Sequence, residues 1–236
     1  MQLTRTDHTL AVLDDQGNAT PIRHIIGIGR NYAEHAKEQG AAVPDRPMLF
    51  TKNLAALCMS GQDIVVPKAC QDRPQVDFEG ELAVITGPRS ARDVPLDNAL
   101  SHVLAYCVAN DVSARWWQKE GSGGQFYRGK SFDTFCPLST PVAGASVPNP
   151  QDLKLVTKVN GHTMQDGSTR DMIFSVAVLI HELSKGHTLL PGTLILTGTP
   201  SGVGMARNPQ VWLKHGDVVD VTIPGVGTLT NRVRFE

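Results

Sequence analysis

The stretch VDFEGELAVITG, Val76–Gly87, alternates so that Glu79, Glu81 and Ala83 face one side of a strand and Phe78, Leu82 and Val84 the other. Two carboxylates then lie side by side on an otherwise apolar strand. Like charges that close destabilise each other unless one is protonated or a cation joins them, so this pair calls for a partner. The alternative is an edge strand whose solvated face carries both glutamates. Outward from this segment, 15 prolines and 22 glycines punctuate the chain. Between them lie short β-branched runs, LKLVTKVNG, TLILTG and DVVDVTI, which predict a mixed, mainly β core with a few short helices.

Two helices are expected. NYAEHAKEQG opens at Asn31 as N-cap and closes at Gly40, and DMIFSVAVLIHELSKG runs from Asp171 to Gly186. In the second, Ile173, Ala177, Ile180 and Ser184 share a face, with Val176 and Leu183 beside it, the spacing of a buried stripe. Asn160-Gly161 predicts a hairpin through a type I′ turn, and IPGVGT predicts another near the end. Helices do not alternate with strands, which argues against a parallel doubly wound sheet. The organisation expected is a small N-terminal segment, residues 1–60, packed on one strand-rich catalytic domain, residues 61–236.

With 41% apolar residues the chain can bury a core of its own. Its net charge of −1 and lack of a basic block exclude the electrostatic footprint of a nucleic-acid or anionic-membrane binder. The cysteines, Cys58, Cys70, Cys107 and Cys136, show no C-x-x-C spacing and read as reduced, buried thiols. No apolar run approaches the roughly 18 residues that would cross a bilayer, and the opening MQLTRTDHTL has no apolar core of a secretory signal, so a cytoplasmic protein is expected.

GQFYRGKS, Gly124–Ser131, fits the pattern G-x-x-x-x-G-K-[ST] of a phosphate-binding loop. That loop needs a buried strand before it and a helix starting at its lysine. Upstream lies the polar ARWWQKEGSG, and downstream FDTFCPLSTPV carries Pro137 and Pro141 where the helix should run. No nucleotide is therefore expected, and Lys130 is expected to meet another anion, with Gly129 letting the backbone bend toward the pocket.

A third carboxylate, Asp111, closes the apolar run VLAYCVAND, and Arg115 and Gln118 follow at helical spacing in SARWWQ. Glu79, Glu81 and Asp111 would make an all-oxygen site, suited to Mg²⁺, Mn²⁺ or Ca²⁺ and poor for zinc. An ordinary ion pair of Arg115 with Asp111 is the simpler alternative. In GRNYAEHAKE, His35 and Glu38 stand three apart on a helix, the geometry of a carboxylate-held general base. The alternative is a surface contact.

Taken together, GRNYAEHAKE, LFTKN, VDFEGELAV, ANDVSARWWQ, GKSFDTFCPL, TKVNGHTMQ, MIFSVAVLI and LTGTPSGVG follow the order seen in the fumarylacetoacetate hydrolase family. The resemblance spans roughly residues 22–233. It implies a β-sandwich roll of the family's C-terminal-domain type, a homodimer, and Mg²⁺ or Mn²⁺ on Glu79, Glu81 and Asp111. It also implies a His35–Glu38 base dyad in a segment that acts as a lid, Lys130 as a further catalytic residue, and substrate contacts from Arg30, Lys52, Arg115, Gln118 and Thr199. The activity implied is hydrolysis of a C–C bond in an acylpyruvate such as fumarylpyruvate, in aromatic catabolism. Decarboxylation of oxaloacetate, isomerisation of a 2-oxo-3-ene dioate, and non-catalytic binding of a 2-oxo acid are the alternatives. The chain departs from the family pattern at Ser139-Thr140, after PL, and at Phe126 or Tyr127, where relatives often carry Trp.

Overall fold

The computed structural model describes residues 1–7, 9–38, 40 and 42–236. In chain order the strands are β1 (Gln2–Arg5), β2 (Leu10–Leu13), β3 (Ala19–Pro21), β4 (His24–Gly29), β5 (Met48–Thr51), β6 (Leu57–Met59), β7 (Ile64–Val66), β8 (Val76–Asp77), β9 (Gly80–Thr86), β10 (Val103–Asn110), β11 (Ser113–Ala114), β12 (Cys136–Leu138), β13 (Val142–Ala143), β14 (Lys154–Val159), β15 (His162–Ser168), β16 (Thr193–Leu196), β17 (Val218–Ile223) and β18 (Gly227–Phe235). The helices are α1 (Ala33–Glu38), α2 (Arg115–Gln118), α3 (Phe126–Lys130) and α4 (Val176–Ser184). None is long and apolar enough to cross a membrane.

An eight-stranded sheet in the order β5-β4-β16-β9-β10-β12-β6, with β13 also on β10, lies beside a five-stranded sheet ordered β15-β14-β17-β18-β7. The segment carrying the paired glutamates thus runs into β9, a central strand between β16 and β10, and the edge-strand alternative falls. Every residue of β9 is buried because both faces of the large sheet are covered. Phe78, Leu82 and Val84 belong to one core, with Leu155, Val221 and Leu229 of the five-stranded sheet and Val176, Leu179 and Ile180 of α4. Ala83 and Ile85 belong to a second core, with Leu10 and Val12 of β2.

The two expected hairpins are present. Asn160 and Gly161 take φ of 51° and 78° between β14 and β15, and Gly225 takes 83° between β17 and β18. All four cysteines are buried free thiols.

The helices start later than the sequence suggested. The second begins not at Asp171 but after Ser175, whose hydroxyl accepts from Val178 N, while Asp171 ends a separate 3₁₀ turn. The intervening Ile173 and Phe174 are held by Asn31, which bonds both of their N–H groups. Asn31 accordingly spends its side chain on Phe174 and Thr197 and is not an N-cap for α1. Gln39, inside the first expected helix, lies outside the described residues. The N-terminal segment is not set apart from the rest, since β4, β5 and β6 are strands of the large sheet itself.

Candidate active site

Glu79, at the entry to β9, and Asp111, just past the end of β10, are drawn together by the Asp111 N–H donating to the Glu79 carbonyl at 2.8 Å. With Glu81 on β9 they form a buried cluster in which one oxygen from each lies within 4.8 Å of the others. The donors are all carboxylate oxygens, the set a hard divalent cation takes, so the residues present fit Mg²⁺ or Mn²⁺.

Cationic side chains brace two of the three. Lys130 Nζ donates to Glu79 Oε2 at 2.7 Å and to Asp111 Oδ2 at 2.5 Å, and Arg115 reaches Glu79 Oε1 at 2.7 Å. Burial alone would raise the Glu79 carboxyl, but Lys130 and Arg115 outweigh it and hold Glu79 below the usual range. Glu81 has no ion-pair partner among the described residues and accepts only the Gly198 N–H, at 2.7 Å. Burial, then Asp111 and Glu79, push it well above the usual carboxylate range. Lys130 is raised, because its two carboxylates more than offset its burial. Among the described buried residues, Lys52, Arg115 and Lys130 face Asp77, Glu79, Glu81 and Asp111, a set one positive charge short of neutrality once all four carboxylates are ionised. A bound divalent cation would turn that deficit into a surplus that attracts an anion.

The segment TGTPSGVG, residues 197–204, aims its glycine amides at three different carboxylates. Gly198 N–H serves Glu81, Gly202 N–H serves Glu38 at 2.9 Å, and Gly204 N–H serves Asp77 at 2.7 Å. Gly198 and Gly202 have φ of 96° and 104°, which strain any L side chain, and a Cβ at Gly202 would stand 2.2 Å from the Met164 carbonyl.

Helix α1 brings up the dyad. His35 Nδ1 and Glu38 Oε1 are 2.7 Å apart, and the His35 side chain is only 5% exposed, so the surface-contact alternative fails. A carboxylate on Nδ1 favours the tautomer whose basic nitrogen is Nε2. His35 lines a chamber of about 20 Å³, room for one water molecule, with Arg30, Glu79, Glu81, Arg115, Lys130 and Thr199. Arg30, Arg115, Gln118 and Phe126 also line an adjoining hollow of about 530 Å³. Arg30 has φ of 56° and a buried Nε with no hydrogen-bond partner among the described residues.

Most of the residues singled out in the sequence therefore meet around one chamber. Lys52 is the exception: it lies behind Asp111, donating to Asp111 Oδ1 at 2.5 Å and to the carbonyls of Val112 and Phe135. Its ammonium is fully enclosed and braces the Asp111 carboxylate. Arg115 pairs with Asp77 and Glu79 and not with Asp111. Helix α3 ends at Lys130 where a phosphate loop would begin a helix, and Ser131 Oγ accepts from Asn53 N. Gly129 serves close packing, since a Cβ there would come 2.4 Å from the Gln118 nitrogen. Of the two aromatics in the insert, Phe126 lines the chamber and Tyr127 is half exposed. Ser139 tightens the sheet by bonding Val108 on both backbone sides.

Four participants were missed. Asp77, two residues before Glu79 on the same face of VDFEGE, accepts from Arg115, Gly204 and Met205. Phe50 and Met48 stand over Gly27 and Gly29, their cross-strand partners. A Cβ at either glycine would come 2.1 Å from that side chain. The alternation of GIG against MLF was the available signal. Gln165, deep under the chamber floor, had none.

The sequence profile of the fumarylacetoacetate (FAA) hydrolase C-terminal family matches residues 24–234. An oxaloacetate tautomerase, YisK of Bacillus subtilis, is 44% identical over 90% of this chain and 70% of its own length. Among solved structures, a fumarylacetoacetate hydrolase from Exiguobacterium antarcticum superposes with a TM-score of 0.82 at 42% identity, over 92% of this chain and 76% of that one. Fumarylpyruvate hydrolase of Pseudomonas aeruginosa, in complex with Mn²⁺ and pyruvate, gives 0.85 at 28% identity over 99% of both chains. Profile, fold and motif order agree, and the chain belongs to the fumarylacetoacetate hydrolase family.

Proposed function

We propose that this chain is a divalent-cation-dependent enzyme that moves a proton at C3 of oxaloacetate or a close 2-oxo dicarboxylate, interconverting its keto and enol forms. The observation that carries this reading is that His35, paired with Glu38, lines the same small chamber as Glu79 and Glu81. Glu79, Glu81 and Asp111 would hold the cation, which would polarise the 2-oxo group as a Lewis acid and so acidify C3. His35, its Nδ1 fixed by Glu38, takes the C3 proton on Nε2. The C–H electron pair becomes the C2–C3 double bond, and His35 delivers the proton to the C2 oxygen, directly or through solvent. Arg115 and Lys130 balance the charge that develops, and Arg30 donates its otherwise unpartnered Nε–H to the far carboxylate. The chamber as it stands has room for one water, and a four-carbon diacid is the substrate that asks the least additional space of it.

The likeness to YisK supports this choice over the C–C hydrolysis expected from the sequence. Hydrolysis of an acylpyruvate is the second reading, favoured by the 530 Å³ hollow, which could take the longer acyl arm, and by the full-length likeness to fumarylpyruvate hydrolase. There the dyad would activate water, and the products would be pyruvate and a carboxylic acid. A homodimer belongs to the proposal on family grounds. A panel of oxaloacetate, acetylpyruvate and fumarylpyruvate, each with Mg²⁺, with Mn²⁺ and with chelator, decides. The first reading expects cation-dependent enol–keto conversion of oxaloacetate to dominate. Faster cleavage of fumarylpyruvate would replace it with the second.

A further inference from the structure

We propose that Gln165 is a positioning residue that sets the separation of Glu79 and Glu81 through Gly80. Gln165 sits on β15, in the five-stranded sheet, and is 1% exposed. Its Oε1 accepts the Gly80 N–H at 3.0 Å, while its Nε2 donates to Thr199 Oγ1 at 2.7 Å and to the Pro200 carbonyl at 2.8 Å. Thr199 Oγ1 in turn donates to the Gly80 carbonyl at 2.8 Å. Gly80, one amide and one hydroxyl thus form a closed, buried ring. The amide has one workable orientation, since a flip would set its NH₂ against the Gly80 N–H and its oxygen against the Pro200 carbonyl.

Gly80 is the residue between the two paired glutamates, and the ring binds both of its backbone polar groups. Rotation of either flanking peptide would swing Glu79 and Glu81 apart, and the ring resists it. A side chain at position 80 is excluded, because its Cβ would lie 2.1 Å from Thr157 Oγ1. The Thr199 hydroxyl has its proton committed to Gly80 and a lone pair committed to Gln165. It therefore acts on the chamber by holding the floor in place and not by donating to a ligand. Groups that orient metal-binding side chains in this way typically change metal affinity about 10- to 100-fold when removed.

The inference rests on the reading that the acidic cluster holds the cation. The experiment is a Mn²⁺ titration of the full-length protein, followed by loss of the free-ion EPR signal, with wild type and with Gln165→Met, Thr199→Val, Thr199→Ser and the Gln165→Met/Thr199→Val double variant. Gln165→Met and Thr199→Val should each weaken Mn²⁺ binding about 10- to 100-fold. Thr199→Ser, which keeps the hydroxyl, should stay within about threefold of wild type. The double variant should lose little more than either single one, because both break the same ring. Wild-type affinity in both single variants overturns the proposal, as does equal loss in Thr199→Ser and Thr199→Val. Should Gln165→Met fail to fold, the two Thr199 variants decide alone. Failure of wild type itself to bind Mn²⁺ would sink the cation reading instead.

Discussion

Replacing Asp77 by Asn tests how the site is held from behind. The carboxylate is fully buried and accepts five hydrogen bonds, from the N–H groups of Phe78, Gly204 and Met205 and from Arg115 Nε and Nη2. Every one of these partners is a donor. An Asn keeps the shape but offers a single acceptor oxygen, so its NH₂ must be turned either against Arg115 and the Met205 amide, which meet Oδ2, or against the amides of Phe78 and Gly204, which meet Oδ1. The buried Arg115 guanidinium then loses half of its charge compensation and keeps only Glu79. Breaking a buried pair by neutralising one partner costs about 3–5 kcal/mol. For a chain of this length that corresponds to a fall in Tm of roughly 6–20 °C. Thermal and urea unfolding of Asp77→Asn beside wild type, both with chelator, measures it. A variant within about 1 kcal/mol of wild type would refute the claim that Asp77 anchors Arg115 and the glycine segment.

In the cation-free protein burial, then Asp111 and Glu79, push Glu81 above the usual carboxylate range, so cation entry must displace its proton over a wider pH range than for a free carboxyl. The dissociation constant for Mn²⁺ should therefore tighten as pH rises toward the raised Glu81 pKa, and a pH-independent constant by calorimetry would contradict this. Phe126 and Phe50, with ring centroids 5.7 Å apart, help wall the chamber off from a hollow of about 280 Å³ that they also line. Phe126→Ala should raise kcat/KM for longer acylpyruvates relative to oxaloacetate, and an unchanged ratio in a substrate panel would remove Phe126 as a wall. Lys52→Met should weaken Mn²⁺ binding and lower Tm, because Asp111 Oδ1 loses its ammonium; a rise in KM alone would return Lys52 to the substrate side.

What could be read in the sequence was local in chain or carried by regular alternation. VDFEGELAVITG announces its strand and its paired carboxylates because side chains alternate with period two, and Asn160-Gly161 announces its hairpin because few other pairs tolerate two positive φ angles. His35 and Glu38 are legible because three residues is one helical turn. The start of α4 was misplaced because Asn31, 143 residues away from Phe174, holds the preceding segment extended, and no local pattern encodes that bond. Lys52 is a similar case. Its motif marks it as part of the site, but only the packing of Phe135 and Val112 shows that its ammonium points behind Asp111. Gln165 reaches Gly80 across two sheets, a contact invisible in either strand alone.

The central proposal is that His35 moves a proton at C3 beside a bound cation. Deuterium incorporation at C3 of oxaloacetate in D₂O, followed by proton NMR above the buffer rate, tests it most directly. Wild type with Mg²⁺ or Mn²⁺ should exchange C3 hydrogen, chelator should abolish the exchange, and His35→Ala should abolish it while binding Mn²⁺ with unchanged affinity. Exchange that survives in His35→Ala, or that continues at full rate in chelator, would contradict the account.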